Sequence, residues 1–180
     1  MIPTKPSGYS VPDALSEWSV KFWSYVEAAA IPEAFVTAHE ALIHLGMLVA
    51  GGWALIHAAA GGVGSAAVML ARALGAKTVF TASGDRRIER VRELGGTVGV
   101  DYRKKDFVEA ALQATGGRGV DVVVDFIGGS YLDRNLRSLA PGGTTSPGRR
   151  IGRWGRATLA RSAAPPLSAH YRHGNEVAQF

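Results

Sequence analysis

The stretch Leu55-Ile56-His57-Ala58-Ala59-Ala60-Gly61-Gly62-Val63-Gly64-Ser65-Ala66-Ala67 decides how this chain folds. Residues 53–57 (WALIH) form a short apolar run suited to a buried parallel strand, and Val63, Ala67, Leu70 and Leu74 recur at helical spacing. Gly75 then ends the helix as the residue after its C-cap. Between strand and helix lies a glycine turn. Gly61 lets the backbone approach a phosphate, and Gly64 lets the helix pack closely on its strand. The helix N-terminus, through Gly62 and Val63, offers unpaired N–H groups at the positive end of the helix dipole. The pattern is a dinucleotide fingerprint with one departure: Ala59 stands where the first glycine of the turn usually lies.

Working outward, the alternation is regular. Strands are expected at 53–58, 77–82, 98–102 and 119–127, and helices at 63–74, 85–94, 105–114 and 130–138. Strands alternating with helices of this length mean βαβ units, hence an α/β fold with a Rossmann-type doubly wound parallel sheet. Asp85 is placed to N-cap the second of these helices, Ile88, Val91 and Leu94 line one side of it, and Gly95-Gly96 ends it. The fourth strand is apolar on both faces, with Asp125 and Gly128-Gly129 near its carboxyl end, where ligands of open α/β sheets bind. After Pro141-Gly142-Gly143 the pattern stops. A sheet truncated to about four strands is therefore expected, with the edge beside the fourth strand unpaired.

Three segments follow. Residues 1–30 carry a helical pattern, with Asp13 as cap and Leu15, Trp18, Phe22 and Val26 on one face, ending near Pro32; residues 33–45 continue as a second helix broken at Gly46. Residues 31–143 form the cofactor-binding domain. Residues 144–180 read as a disordered Arg-rich tail or as an out-of-frame translation of a GC-rich gene.

Composition narrows the function. The 180 residues can bury one good core and have the make-up of a soluble globular protein. With no cysteine there is neither a disulfide framework nor a thiolate metal site, and His170 and His173 have ligand-like spacing without further ligands, so no metal is expected. No apolar run of about 18 residues suggests a membrane span, and the start lacks a secretory signal, so the expected place is the cytoplasm. The net charge of +5 is unevenly spread: residues 1–140 are balanced, whereas 141–180 carry arginines, no lysine and only Glu176 on the acidic side.

The segments AAAIPEAFVTAHEAL, LIHAAAGGVGSAAVMLARALGAK, VDYRKKDF and GGRGVDVVVDFIGGSYLDRNLRSLAPGG resemble, in order and spacing, the cofactor domain of zeta-crystallin-like quinone oxidoreductases. These belong to the zinc-free medium-chain dehydrogenase/reductase superfamily. The resemblance covers roughly residues 28–143, and A-x-G-G-V-G also occurs in enoyl reductase modules of polyketide synthases. It implies a GroES-like catalytic domain before the matching stretch, which this sequence lacks, and a homodimer built along the last strand of the sheet, a strand expected to be missing here.

Cofactor choice is read from the end of the second strand, where a carboxylate holding a ribose 2′-hydroxyl is expected about 20 residues past the glycines. Thr81-Ala82-Ser83 stands there instead, with Arg86 and Arg87 just beyond, which favours NADPH over NADH. Asp85 is the counter-evidence and is read as a cap. By resemblance, Ser83, Arg87 and Tyr102 contact the 2′-phosphate, Thr37 lies near the nicotinamide, and Phe126, Ile127 and Gly128 flank the cofactor. His57 is expected to be a packed or hydrogen-bonded histidine. No catalytic residue is assigned.

The leading expectation is an NADPH-dependent oxidoreductase of the quinone reductase type, passing hydride to a quinone or an activated alkene such as an enone. An enoyl reductase is the close alternative. A non-catalytic NADPH-binding module, or an RNA-associated protein whose basic tail touches phosphates, comes from a different class. A Rossmann-like methyltransferase would call for an acidic residue near Ser83, which speaks against it with Asp85 read as a cap, and short-chain reductase chemistry would call for a tyrosine with a lysine four residues on, which is not present.

Overall fold

The computed structural model describes residues 25–146 and the backbone of 157–158, 170–173 and 176–179. The chain divides into two compact units, Met1–Glu33 and Ala34–Phe180. Of the first, the structure describes the start of helix α1, which runs over Tyr25–His39. The helical face expected from Leu15, Trp18 and Phe22 lies outside the described residues. α1 passes through Pro32 instead of ending there. Proline removes one N–H donor and crowds the carbonyl four residues back, while Ala28–Ala30 before it and Ala34 after it are the strongest helix formers.

In the second unit, α1 continues into a π-helical turn, Glu40–Leu45, closed by Gly46. A Cβ on Gly46 would lie 2.6 Å from the carbonyl oxygens of Ala41 and Leu42 and 2.8 Å from Val122. Only glycine lets this turn come so close to the sheet. There follow β1 (Trp53–Ile56), α2 (Gly62–Ala73), β2 (Lys77–Ala82), α3 (Asp85–Glu93), β3 (Val98–Asp101), α4 (Phe107–Ala114), β4 (Val120–Val124), a 3-10 turn (Gly129–Tyr131), α5 (Leu132–Ser138) and β5 (Leu139–Ser146). The sheet order begins β3-β2-β1-β4-β5, all parallel. This is the doubly wound order, with its switch point between β1 and β4.

Both faces of the sheet are covered, which is why its strands are almost wholly apolar. Ile56, Phe80 and Val122 face Ala67, Val68 and Ala71 of α2 and Ile88 and Val91 of α3. Leu55, Val79, Val100 and Val123 face Phe107, Val108 and Ala111 of α4. Gly75 (φ 77°) ends α2 as expected: its N–H reaches the Arg72 carbonyl, and that of Ala76 reaches Ala71.

The parallel sheet has five strands, not four, so the edge of β4 is paired. β5 pairs Val120 with Leu139, then Val122 with Thr144 and Val123 with Thr145, the register shifting between. The Pro141-Gly142-Gly143 segment that reads as a terminator is absorbed in this irregularity: Gly142 has φ 77°, and a Cβ on Gly119 would lie 2.6 Å from the Ala140 nitrogen. Thr144 and Thr145 are buried. Beyond, where no strand was expected, the backbone of β6 (Ala157–Thr158), β7 (His170–His173) and β8 (Glu176–Gln179) extends the sheet in antiparallel pairs.

Several elements are shorter than their apolar patterns, and polar side chains set the ends. β3 stops at Asp101 and β4 before Asp125, two buried carboxylates that turn the chain by accepting backbone N–H groups. α4 starts at Phe107 because the Asp106 carboxylate caps the Val108 N–H at 3.0 Å. α3 is capped by Gly84 (φ 80°) with no side-chain bond, so Asp85 is its first helical residue and not its N-cap.

Candidate nucleotide-binding site

β1 delivers the chain to the switch point, where the glycine turn is anchored strand by strand. The His57 N–H donates to Val124 of β4, and the Ala59 N–H to Thr81 of β2, both at 3.0 Å. Ala59 is fully buried, and the left-handed residue of the turn is its neighbour Ala58, with φ 48°. The fingerprint's departure therefore sits at a position that needs no positive φ. A Cβ on Gly64 would come within 2.5 Å of the Ala58 oxygen and 2.7 Å of the Ala59 Cα, so glycine is required there for α2 to sit on the turn. Gly61, by contrast, meets only the Ala58 oxygen, at 3.3 Å, and Gly62 meets nothing within 4 Å. Space lies open above them. Gly61 caps α2 without a side-chain bond, and the first turn of α2 carries no acid. The N–H groups of Gly62, Val63 and Gly64 precede the first intrahelical bond, made by Ser65 to Gly61 at 2.8 Å. A cradle of unpaired donors at a helix N-terminus fits a pyrophosphate.

One strand away, the ends of β2 and β3 form a basic corner. The Arg87 guanidinium donates to the Ser83 hydroxyl. Arg103, which the sequence reading did not single out, lies beside Gly84: its Nε and Nη2 grip the two carboxylate oxygens of Asp101 at 3.1 and 3.2 Å. Asp101 also accepts the Gly84 N–H at 3.1 Å. These bonds, the Arg103 guanidinium first, hold the Asp101 carboxyl down at about 2. Asp101 thus ties the arginine to the β2–α3 turn. Its signal in the sequence is an Asp-x-Arg at a strand end. Tyr102 stands between them, 44% exposed. Asp85 is exposed nearby, its charge acting on Arg103.

On the other side of the switch point, the Asp125 carboxylate accepts the N–H groups of Ile127 (2.7 Å) and Gly128 (2.9 Å), shaping the loop after β4. Phe126 is half-buried and Ile127 exposed. Beneath them, Asn135 of α5 joins Asp125 to His57, with Nδ2 to Asp125 at 2.9 Å and Oδ1 facing His57 Nε2 at 2.8 Å. His57 is a buried, hydrogen-bonded residue edge-on to Phe107 and Tyr131. Burial pushes its pKa down. The glycine turn, Ser83, Arg87, Tyr102 and the 126–128 loop all lie at the carboxyl edge of one sheet. Thr37 does not share their framework: it is half-buried in α1 beside the buried Ala38, and no hydrogen bond among the described residues links it to the turn.

Residues 62–147 match the zinc-binding dehydrogenase family. A putative enoyl reductase domain of a polyketide synthase shares the fold at 39% identity and a TM-score of 0.60, covering 67% of this chain and 69% of that one. The chain belongs to the medium-chain dehydrogenase/reductase superfamily. Mycoketide-CoA synthase of Mycobacterium tuberculosis is 47% identical over 123 residues, 67% of this chain but 3% of the synthase. A quinone oxidoreductase of Pseudomonas syringae pv. Tomato DC3000 is 34% identical with a TM-score of 0.66, over 69% of this chain and 38% of that one. The chain thus spans a small part of the curated relatives it matches. Among the described residues of this medium-chain dehydrogenase/reductase chain, no three His, Asp or Glu side chains converge as metal ligands, and no helix is long and apolar enough to cross a membrane.

Proposed function

We propose that this chain binds NADPH along the carboxyl edge of its sheet and serves hydride transfer to a conjugated carbon–carbon double bond, as in an enoyl reductase. The observation that carries the reading is the open cradle of Gly62, Val63 and Gly64 N–H groups with arginine side chains one strand away. Gly61 and Ala59 shape the pyrophosphate seat. Ser83 and Arg87, with Arg103 beside them, take the 2′-phosphate, and Tyr102 covers the adenosine half. Phe126, Ile127, Gly128 and Thr37 belong to the nicotinamide half. When bound, the cofactor supplies a hydride from C4 of its nicotinamide. The chain's own residues bind and orient it.

The enoyl reductase relatives favour a polarised alkene as acceptor, and the quinone oxidoreductase relative favours a quinone. Both accept hydride at an electron-poor carbon conjugated to a carbonyl. Thermal-shift titration with NADPH, NADH and S-adenosylmethionine tests the cofactor reading. A ligand at roughly 100 times its dissociation constant stabilises by about 2.7 kcal/mol. NADPH is expected to give the largest shift, and no shift with either nicotinamide cofactor overturns the proposal. NADPH consumption with a crotonyl thioester set against a benzoquinone then separates the two acceptors.

A further inference from the structure

Four buried polar groups form an unbroken hydrogen-bonded path beneath the switch point. Their hydrogen-bond direction can be read without ambiguity. Asp125 is an acceptor only, so the Asn135 amide must turn Nδ2 toward it and Oδ1 toward His57. Oδ1 accepts only, so His57 carries its proton on Nε2, which leaves Nδ1 as an acceptor for the Thr81 hydroxyl at 3.0 Å. Thr81 Oγ1 in turn accepts the Ala58 N–H at 3.3 Å. Every donor points the same way, from the glycine turn to the carboxylate. That carboxylate ends the path on the N–H groups of Ile127 and Gly128. His57 and Asn135 are fully buried, and Asp125 and Thr81 are 3% and 2% exposed.

We infer that Asn135 and Asp125 are positioning residues, which lock the Ile127–Gly128 loop to the glycine turn so that the seats for the two halves of a dinucleotide keep one spacing. The inference rests on the proposed cofactor reading for its purpose, and on the hydrogen-bond path alone for its mechanism. The path crosses the boundary between β1 and β4, the two strands that wall the crevice. Asn135 touches neither half of the crevice; it acts through Asp125. A buried amide with both ends engaged fixes the loop because either end left alone would be an unsatisfied group in a dry interior.

Two variants of the full chain test this. Asp125→Asn keeps one oxygen for the loop N–H groups but replaces the other by an N–H donor. The Asn135 amide must then flip, and the His57 proton must move from Nε2 to Nδ1. The imidazole 15N shifts of His57 report this directly on the ligand-free protein. The expected result is an Nε2–H tautomer that becomes Nδ1–H in Asp125→Asn; an unchanged tautomer overturns the inference. In Asn135→Leu, amide hydrogen exchange at Ile127 and Gly128 is expected to quicken at least tenfold while that of Ala66 and Ala67 in α2 stays within twofold. Equal acceleration at both places would mean general loosening and overturns it too. With ligand, Asn135→Leu is expected to weaken NADPH about tenfold and adenosine 2′,5′-bisphosphate less than twofold, since the latter stops short of the β4 loop. Failure of wild-type chain to bind NADPH removes the cofactor reading and leaves the tautomer and exchange results to decide the rest.

Discussion

Acidification of the ligand-free chain is expected to weaken it through His57. In the unfolded chain this imidazole titrates near 6.5, and in the folded protein burial lowers its pKa, with Arg134 acting the same way, while the Asn135 bond and the Asp125 charge oppose. Among the described residues, the ring also faces the Thr81 hydroxyl and the Phe107 and Tyr131 rings. A lowered folded pKa means that the unfolded state takes up the proton first. The neutral ring's contribution is therefore complete above 6.5 and is lost as pH falls below it, until the folded ring protonates as well. The limiting slope is about 1.4 kcal/mol per pH unit, so the loss by pH 5.5 is about 1.4 kcal/mol at most, roughly tenfold in the folding equilibrium. Asp101, with a carboxyl depressed from 3.8 to about 2, acts in a separate window below pH 4. Urea denaturation at half-unit pH steps, with His57→Gln alongside, isolates the effect. The wild-type midpoint should fall between pH 6.5 and 5.5 relative to that of His57→Gln; parallel curves refute the reasoning.

Gly64→Ala drives a Cβ into the Ala58 and Ala59 backbone and is expected to destabilise by about 1–3 kcal/mol in urea titration. Gly62→Ala, at the helical position with open space around it, is expected to leave stability unchanged or raise it by up to about 1 kcal/mol. Arg103→Met and Arg87→Met should each weaken NADPH about fivefold more than NADH, the scale of one exposed charge contact, measured by cofactor fluorescence. Arg134→Met removes the ion pair at 2.8 Å to Asp106 and the cation stacked 4.0 Å over Phe107, and should lower stability by about 1 kcal/mol, a loss that salt reduces only in part.

The glycine turn was legible because two periodicities meet there: an apolar strand run stops, a helical repeat begins, and glycine falls at the junction. Gly64 in particular could be assigned its packing role from position alone. β5 was not legible, because Pro141-Gly142-Gly143 reads as a terminator unless the facing Gly119 and the register shift against β4 are known. The Thr144-Thr145 pair is polar by composition, yet β-branched and fit for a buried strand. Arg103 escaped because its placement depends on Asp101 gripping it, a tertiary matter of where β3 ends beside Gly84. The path through residues 57, 81, 135 and 125 has no sequence signature at all, since its members come from four separate elements.

The switch point also divides the chain by the entropy of bringing it together. The β1–β2 and β2–β3 pairs join strands one crossover apart, whereas β1 and β4 are separated in the chain by α2, β2, α3, β3 and α4. Loop closure grows slowly but steadily with chain length, so the β1–β4 seam is the most demanding join in the sheet. The donors of the glycine turn belong to the locally wound half, and the loop after β4 to the half that arrives across that seam. The crevice therefore comes into being only with the longest-range pairing of the parallel sheet, and a chain that has wound β1 to β3 alone has the cradle for a phosphate without its opposite wall.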